Sequence, residues 1–240
     1  MIAPHILKRL PHLAEDAGSI AMLRKLILVL GFHETLSNEQ PTARAEELVD
    51  GGGAQSVPHE LPYNGLTNIR FQRLSSVARV ERGQTGIKGA SAGLYPLVVT
   101  AATRGSCDHY DFEGPAAIVP LVSSTGHGSA TLHRLHYQEG PFALGTILCA
   151  ILPRDPHVMS ARFLFEYLTA FKEELIVSRM VGTANVSLTV KSIGAIPVPM
   201  LPVATQGQLE GLVTLCDVSA HGKCTDLITK SAQAPRLTQP

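Results

Sequence analysis

The chain has 240 residues, 45% of them hydrophobic, and its 20 Lys and Arg are balanced by 20 Asp and Glu. This length and apolar content support one large domain with extensions and a real core. No apolar run reaches the ~20 residues that cross a bilayer, so no membrane association is expected. A net charge of zero by itself argues against a nucleic-acid binder.

The opening Met-Ile-Ala-Pro-His has no basic-then-apolar leader pattern, so a cytoplasmic protein is expected. Cys107, Cys149, Cys216 and Cys224 are irregularly spaced, with no Cys-x-x-Cys pair, so neither disulfides nor structural zinc are expected. Between Asn68 and Thr205, 12 Lys and Arg face 9 Asp and Glu. That surplus is compatible with phosphate contact and equally with an ordinary solvated surface.

In chain order, Ile20, Leu23, Leu26, Ile27 and Leu30 recur at helical steps. They predict an amphipathic helix from the Gly18-Ser19 cap signal to Gly31, packed on its own domain or docked on a partner. The polar, turn-rich stretch 37–67, with Gly51-Gly52-Gly53, reads as a linker between an N-terminal helical segment (1–36) and the main domain (68–205). Gly83, Gly86 and Gly89 with Lys88 form a flexible loop; neither Gly-x-Gly-x-x-Gly nor a full P-loop is present.

Residues 94–99 read as a strand, and 116–122, interrupted by Pro120, as an edge strand. A small hydroxyl- and glycine-rich loop follows at 123–128, either a hairpin turn or a place where backbone and hydroxyl donors approach an anion. His127, His133 and His136 lie close together, but no acidic or cysteine ligand sits at a familiar offset, so they read as surface histidines and no metal is expected. Residues 146–152 make the most strand-like run, with Cys149 a small buried residue within it. Asp155-Pro156 signals a helix start, and Phe163, Leu164, Tyr167, Leu168, Phe171 and Leu175 trace a core-facing helix to about Met180.

The stretch 182–199 opens on Gly182 and presents Thr183, Asn185 and Ser187. Val186, Leu188 and Val190 alternate as in a half-buried strand, which Pro197 and Pro199 should end. Leu209, Leu212, Val213, Leu215 and Cys216 mark a last amphipathic helix (206–230) before a polar, disordered tail (231–240).

Taken in order, several of these segments resemble the DNA-specificity subunits of type I restriction–modification systems. They are Leu23-Arg24-Lys25-Leu26-Ile27-Leu28, Tyr95-Pro96-Leu97-Val98, Phe112-Glu113-Gly114 and Ser124-Thr125-Gly126-His127-Gly128. Gly182-Thr183-Ala184-Asn185-Val186-Ser187-Leu188, Ile196-Pro197-Val198-Pro199, Gln206 or Gln208, and Leu212-Val213-Thr214-Leu215-Cys216-Asp217 complete the order, spanning about Leu13 to Asp217. The resemblance implies an α/β (α+β) fold, with a mixed-sheet target recognition domain flanked by helices like the family's spacer helices.

It further implies a non-catalytic module, without cofactor, that reads double-stranded DNA. A methyltransferase subunit and a nuclease and translocase subunit would be its partners. Phosphates and base edges require donors and planar side chains. Lys88, Arg104, Ser124, Thr125, His127, Arg134, Thr183 and Asn185 are therefore the DNA-contact candidates. Leu23, Leu26, Ile27, Leu30, Leu209, Leu212, Val213 and Cys216 are the partner-contact candidates.

The chain departs from the pattern in having room for one recognition domain rather than two, so it resembles a half-subunit that could pair with itself. Gly31-Phe32-His33-Glu34 also stands where the family has Ala-x-x-Gly-Lys. A scaffold in a phage-defence complex that has lost DNA contact is an alternative. A stand-alone DNA-modifying enzyme is another, but no Asn-Pro-Pro-Tyr or Asp-Pro-Pro-Tyr segment and no cofactor-type glycine motif is present.

Overall fold

The computed structural model describes residues 17–38, 69–125, 128–183 and 185–220. The first 16 residues, nearly all of the 37–67 linker, His127 and the tail therefore lie outside the described residues.

The apolar run beginning at residue 146 becomes β9 (Leu148–Pro153), at the centre of a sheet buried on both faces. It pairs antiparallel with β2 (Ala78–Arg82) and with β6 (Ala116–Pro120), and β7 (His136–Gln138) lies outside β6. The two-residue strand period divides this run between two cores. Cys149 and Ile151, with Ala117 and Val119, join the helices on one side. Leu148, Ala150 and Leu152, with Ala116 and Ile118, meet Val98, Phe112, Phe142 and Leu144 on the other. Burial on both faces explains why β9 reads as unbroken hydrophobic sequence.

The second face is covered by a mixed four-stranded sheet. It contains β3 (Tyr95–Val98), β4 (Gly105–Cys107), β5 (Phe112–Glu113) and β8 (Pro141–Leu144), in the order β4-β3-β8-β5. Its β3–β8 pair is parallel and the others antiparallel, giving the mixed α/β architecture expected. β6 is not an edge strand, because Ala117 and Ile118 pair on both sides. Pro120 is tolerated because β7 has ended before it, leaving only β9 beside it.

The other face carries the helices. Asp155 closes a turn of its own, its carboxylate accepting from His157 N–H at 2.8 Å. The helix proper, α3 (Ala161–Ala170), starts instead at Ser160, whose hydroxyl accepts from Phe163 N–H. It does not run unbroken to Met180: the short α4 (Lys172–Leu175) and a 3-10 turn (Val177–Arg179) follow.

The stretch after Gly182 departs most from expectation. Residues 186–190 form no strand; Ser187 makes isolated bridges to Val122 and Val181. A helix, α5 (Val190–Gly194), then begins at a reciprocal Thr189–Ser192 capping box. Pro197 and Pro199 do not end a ladder but form one, β10 (Pro197–Pro199), paired with β1 (Phe71–Arg73). Hydrogen bonds fall on the even positions, with Leu74 N–H to Ile196 O at 2.8 Å and Met200 N–H to Arg70 O at 2.9 Å. Both prolines sit between these positions, where no donor is needed.

The N-terminal helix, α1 (Ala17–Asn38), continues through Gly31. A Cβ there would lie 2.2 Å from Leu209 Cδ2, so this glycine admits the last helix, α6 (Val203–Ala220), rather than capping its own. Phe32 inserts beside Tyr167 and Phe171. Ion pairs Arg24–Glu166 at 3.3 Å and Lys25–Glu174 at 2.5 Å hold α1 against α3 and α4. Leu23, Ile27, Leu209 and Val213, expected at a partner surface, are instead buried in this chain's own core. Leu26 is 46% exposed with Met22 at 73% beside it, while Leu30 and Leu212 are half-buried. The side chain of Cys216 lies outside the described residues. Among the described residues no helix is long and apolar enough to cross a membrane.

Candidate nucleic-acid interface

Three connections leave the same end of the β2-β9-β6 sheet, because Arg82 pairs with Cys149 and Pro120 with Leu148. The turn at 145–147 ties them together. Gly145 bridges Thr85 in the loop after β2, Arg82 Nε donates to Thr146 O at 2.6 Å, and Ile147 O accepts from Leu121 N–H at 2.8 Å. Lys88 stands exposed on the 3-10 turn Ile87–Gly89 of that first loop.

The loop after β6 is held by its own hydroxyls. Thr125 Oγ1 and Thr131 Oγ1 are 2.7 Å apart, and Ser123 Oγ donates to Ser129 O at 2.5 Å. Ser124 Oγ accepts from His133 N–H at 3.0 Å. These bonds leave Ser124 and Thr125 exposed on a loop that is closed at both ends.

The 181–188 segment completes the group. Val181 and Ser187 exchange both backbone hydrogen bonds, at 3.0 and 2.9 Å, which closes a tight loop carrying Thr183 and Asn185 at its exposed tip. Gly182 has φ +130, and a Cβ on it would meet Asn185 O at 2.3 Å, so any side chain there is strained and forces the loop tip to shift. This loop then docks on the first: Ser123 N–H donates to Val186 O at 2.9 Å, and Leu188 N–H donates to Leu121 O at 2.8 Å. At Gly128 (φ +79), a Cβ would lie 3.0 Å from Thr183 O. Lys88, Ser124, Thr125, Thr183 and Asn185 therefore gather at one end of one sheet.

Arg134 is exposed and lines a cavity of about 300 Å³ with residues of α1, α3 and α4. Arg104 lies elsewhere. Its guanidinium donates to Gln138 Oε1 at 3.0 Å, to Tyr137 O at 3.1 Å and to His136 Nδ1 at 3.2 Å. It therefore fastens the connection after β3 onto β7 and has its donors engaged there. His136, expected at the surface, is 5% exposed. Burial, and then the charges of Arg104 and Arg134, push its pKa down to about 4, so it stays neutral at physiological pH.

Two cations escape the sequence reading. Arg82 sits at the sheet end through its bond to Thr146 O; its place as the last strand residue before a glycine loop is the available signal. Lys172 donates to the carbonyl of Leu132 and, at 3.4 Å, to that of His133, bracing the base of the 123–131 loop from α4, a long-range contact with no local signal. His127 lies outside the described residues; among the described residues, Cys107, Asp108 and His109 place one ligand atom each within 4.8 Å of the others.

No family model and no curated protein matches this chain. The chain is similar to type I restriction–modification S subunits of known structure. Against the HsdS subunit from Thermoanaerobacter tengcongensis it has 16% identity and a TM-score of 0.49, over 96% of this chain and 52% of that one. A chain from a structure on assembly and conformational transition of the type I R-M system gives 16% and 0.49, over 95% and 55%. The S subunit from M. genitalium gives 13% and 0.45, over 69% and 40%. The chain thus spans about half the length of the solved chains it resembles.

Proposed function

We propose that this chain is a non-catalytic module that reads one half of a double-stranded DNA target for a type I restriction–modification system. The observation that carries the reading is the joining of the 123–131 and 181–188 loops beside the Lys88 turn. Hydroxyls, an amide and cations stand together on backbone held by hydrogen bonds from several elements. Such an array suits DNA recognition: Lys88, Arg82 and Arg134 provide phosphate attraction, and hydroxyls add neutral phosphate contacts. Asn185 has the paired acceptor and donor that match adenine N6 and N7. Rigid placement reduces the ordering cost of binding.

On this reading the partners are an adenine methyltransferase subunit and a nuclease and translocase subunit, which act where the module binds. Met22 and Leu26 are exposed apolar residues of α1 available to such a partner. The ordered motifs from Leu23 to Asp217 support the family assignment.

The test is selection of bound duplexes from a random library, by the chain alone and mixed with its methyltransferase subunit. A short enriched half-site is expected. Asn185→Ala should relax one position of it, at a cost of about 1–3 kcal/mol, whereas Lys88→Ala should weaken all sequences alike. Absence of any enriched motif under both conditions refutes the proposal.

A further inference from the structure

We propose that the cavity between α1, α3, α4 and the 133–135 segment binds a small organic anion, a carboxylate carried on a short apolar body. Binding there is independent of the DNA reading, and its test needs no DNA.

Small residues make the room. Ala21 of α1 and Ala170, the last residue of α3, line a space of about 300 Å³ that longer side chains at these two positions would fill. Ile20 and the buried Leu135 add apolar wall. The volume matches the lower end of small-molecule pockets, which are mostly apolar with a few polar groups that fix orientation. The walls are also fixed in place. Arg24 and Lys25 pair with Glu166 and Glu174, and Phe32 packs beside Tyr167 and Phe171, so α1 cannot settle inward to close the space.

Charge selects the occupant. Of the nine residues lining the cavity, three are cations and none is acidic, which disfavours a cationic ligand. Lys172 donates to the carbonyls of Leu132 and His133, neutral acceptors that leave its charge unmet. Its pair with Glu173, 3.5 Å apart on a carboxylate 59% exposed, is a weak surface contact. The Arg134 guanidinium has no hydrogen bond or ion pair among the described residues, and its charge is felt by His136. A carboxylate can take two parallel hydrogen bonds from an arginine, while an attached apolar body covers Ile20 and Leu135. A bare anion gains only the first contact and an uncharged molecule only the second. Arg134 is also a candidate for DNA phosphate, so occupant and duplex would compete for it; that consequence alone rests on the DNA reading.

Benzoate titrated into the full chain and followed by ligand-observed NMR tests this. Saturable binding to one site is expected, with Kd about 1 mM or tighter for so small a ligand. Benzamide, which has the shape without the charge, and acetate, which has the charge without the body, should each bind about 10-fold more weakly or worse. Arg134→Gln should weaken benzoate by about 10-fold. Ala21→Leu should abolish binding by filling the space, and because Ala21 is exposed on α1 and leucine is a good helix former, circular dichroism should show the fold retained. Arg134 is exposed as well, so its variant decides the matter without a change in the core. Absence of saturable binding up to about 10 mM, equal binding of benzamide, or benzoate binding unchanged in both variants overturns the proposal.

Discussion

Gln206 is fully buried at the start of α6, and its side-chain amide joins three segments. Its Oε1 accepts from Ser160 N–H at 2.9 Å, and its Nε2 donates to Val158 O and Leu201 O, both at 2.8 Å. All three partners are backbone groups at the root of α3 and in the chain entering α6. Replacing Gln206 by Leu keeps the volume nearly constant and leaves one N–H and two C=O groups without partners. An unmade bond at a buried group costs about 1–3 kcal/mol, and local shifts recover part of it. The expected loss is therefore about 3–5 kcal/mol, a large share of the ~5–15 kcal/mol that holds a domain together. Urea unfolding followed by circular dichroism measures it, as a fall in midpoint at unchanged slope. Gln206→Glu keeps the acceptor but sets oxygen against two carbonyls, so it should cost at least as much as Leu. A loss below about 1 kcal/mol for both variants would refute the role assigned to this side chain.

Other consequences are as direct. Gly31→Val should force Leu209 out of place and cost about 1–3 kcal/mol, and part of that should return in the Gly31→Val, Leu209→Ala double variant; strictly additive losses contradict the close approach. His136 is neutral when folded down to about pH 4, whereas the unfolded histidine takes a proton near pH 6.5. Stability should thus be fully present above about pH 6.5 and fall by up to about 3 kcal/mol between there and pH 4; His136→Gln should flatten that limb, and an unchanged profile counts against it. Gly182→Ala should leave the melting transition within a few degrees of wild type yet reduce DNA affinity, because its strain is confined to the loop tip; a global loss of fold places the glycine in the core instead.

Elements whose signal is local were legible. The 148–153 strand announces itself as an apolar run and the 161–170 helix as an aromatic stripe, whereas the α/β class is what the family resemblance implied. Pro197 and Pro199 misled because a ladder needs donors only at alternate residues, and which residues those are depends on where β1 pairs. Gly31 looked like a helix stop because the residue that requires it, Leu209, is 178 positions away. Within the site, Lys88, Ser124, Thr125, Thr183 and Asn185 were chosen for their chemistry, and pairing at Ser187 brings their loops together. Arg104 has the same chemistry, but only the fold reveals that β7 consumes its donors. Arg82 and Lys172 act through backbone carbonyls, which carry no trace in residue type.

The measurement closest to the central claim is DNA affinity as a function of salt, read by fluorescence anisotropy on the selected duplex and on a scrambled one. The account predicts that log affinity falls linearly with log salt, by about 0.9 for each phosphate engaged, and that Lys88→Ala lowers the slope by about one. The selected duplex should bind at least ~1,000-fold more tightly than the scrambled one at physiological salt. Equal affinity for both duplexes, or a response to salt that is flat and indifferent to Lys88→Ala, would contradict DNA reading and leave a scaffold in its place.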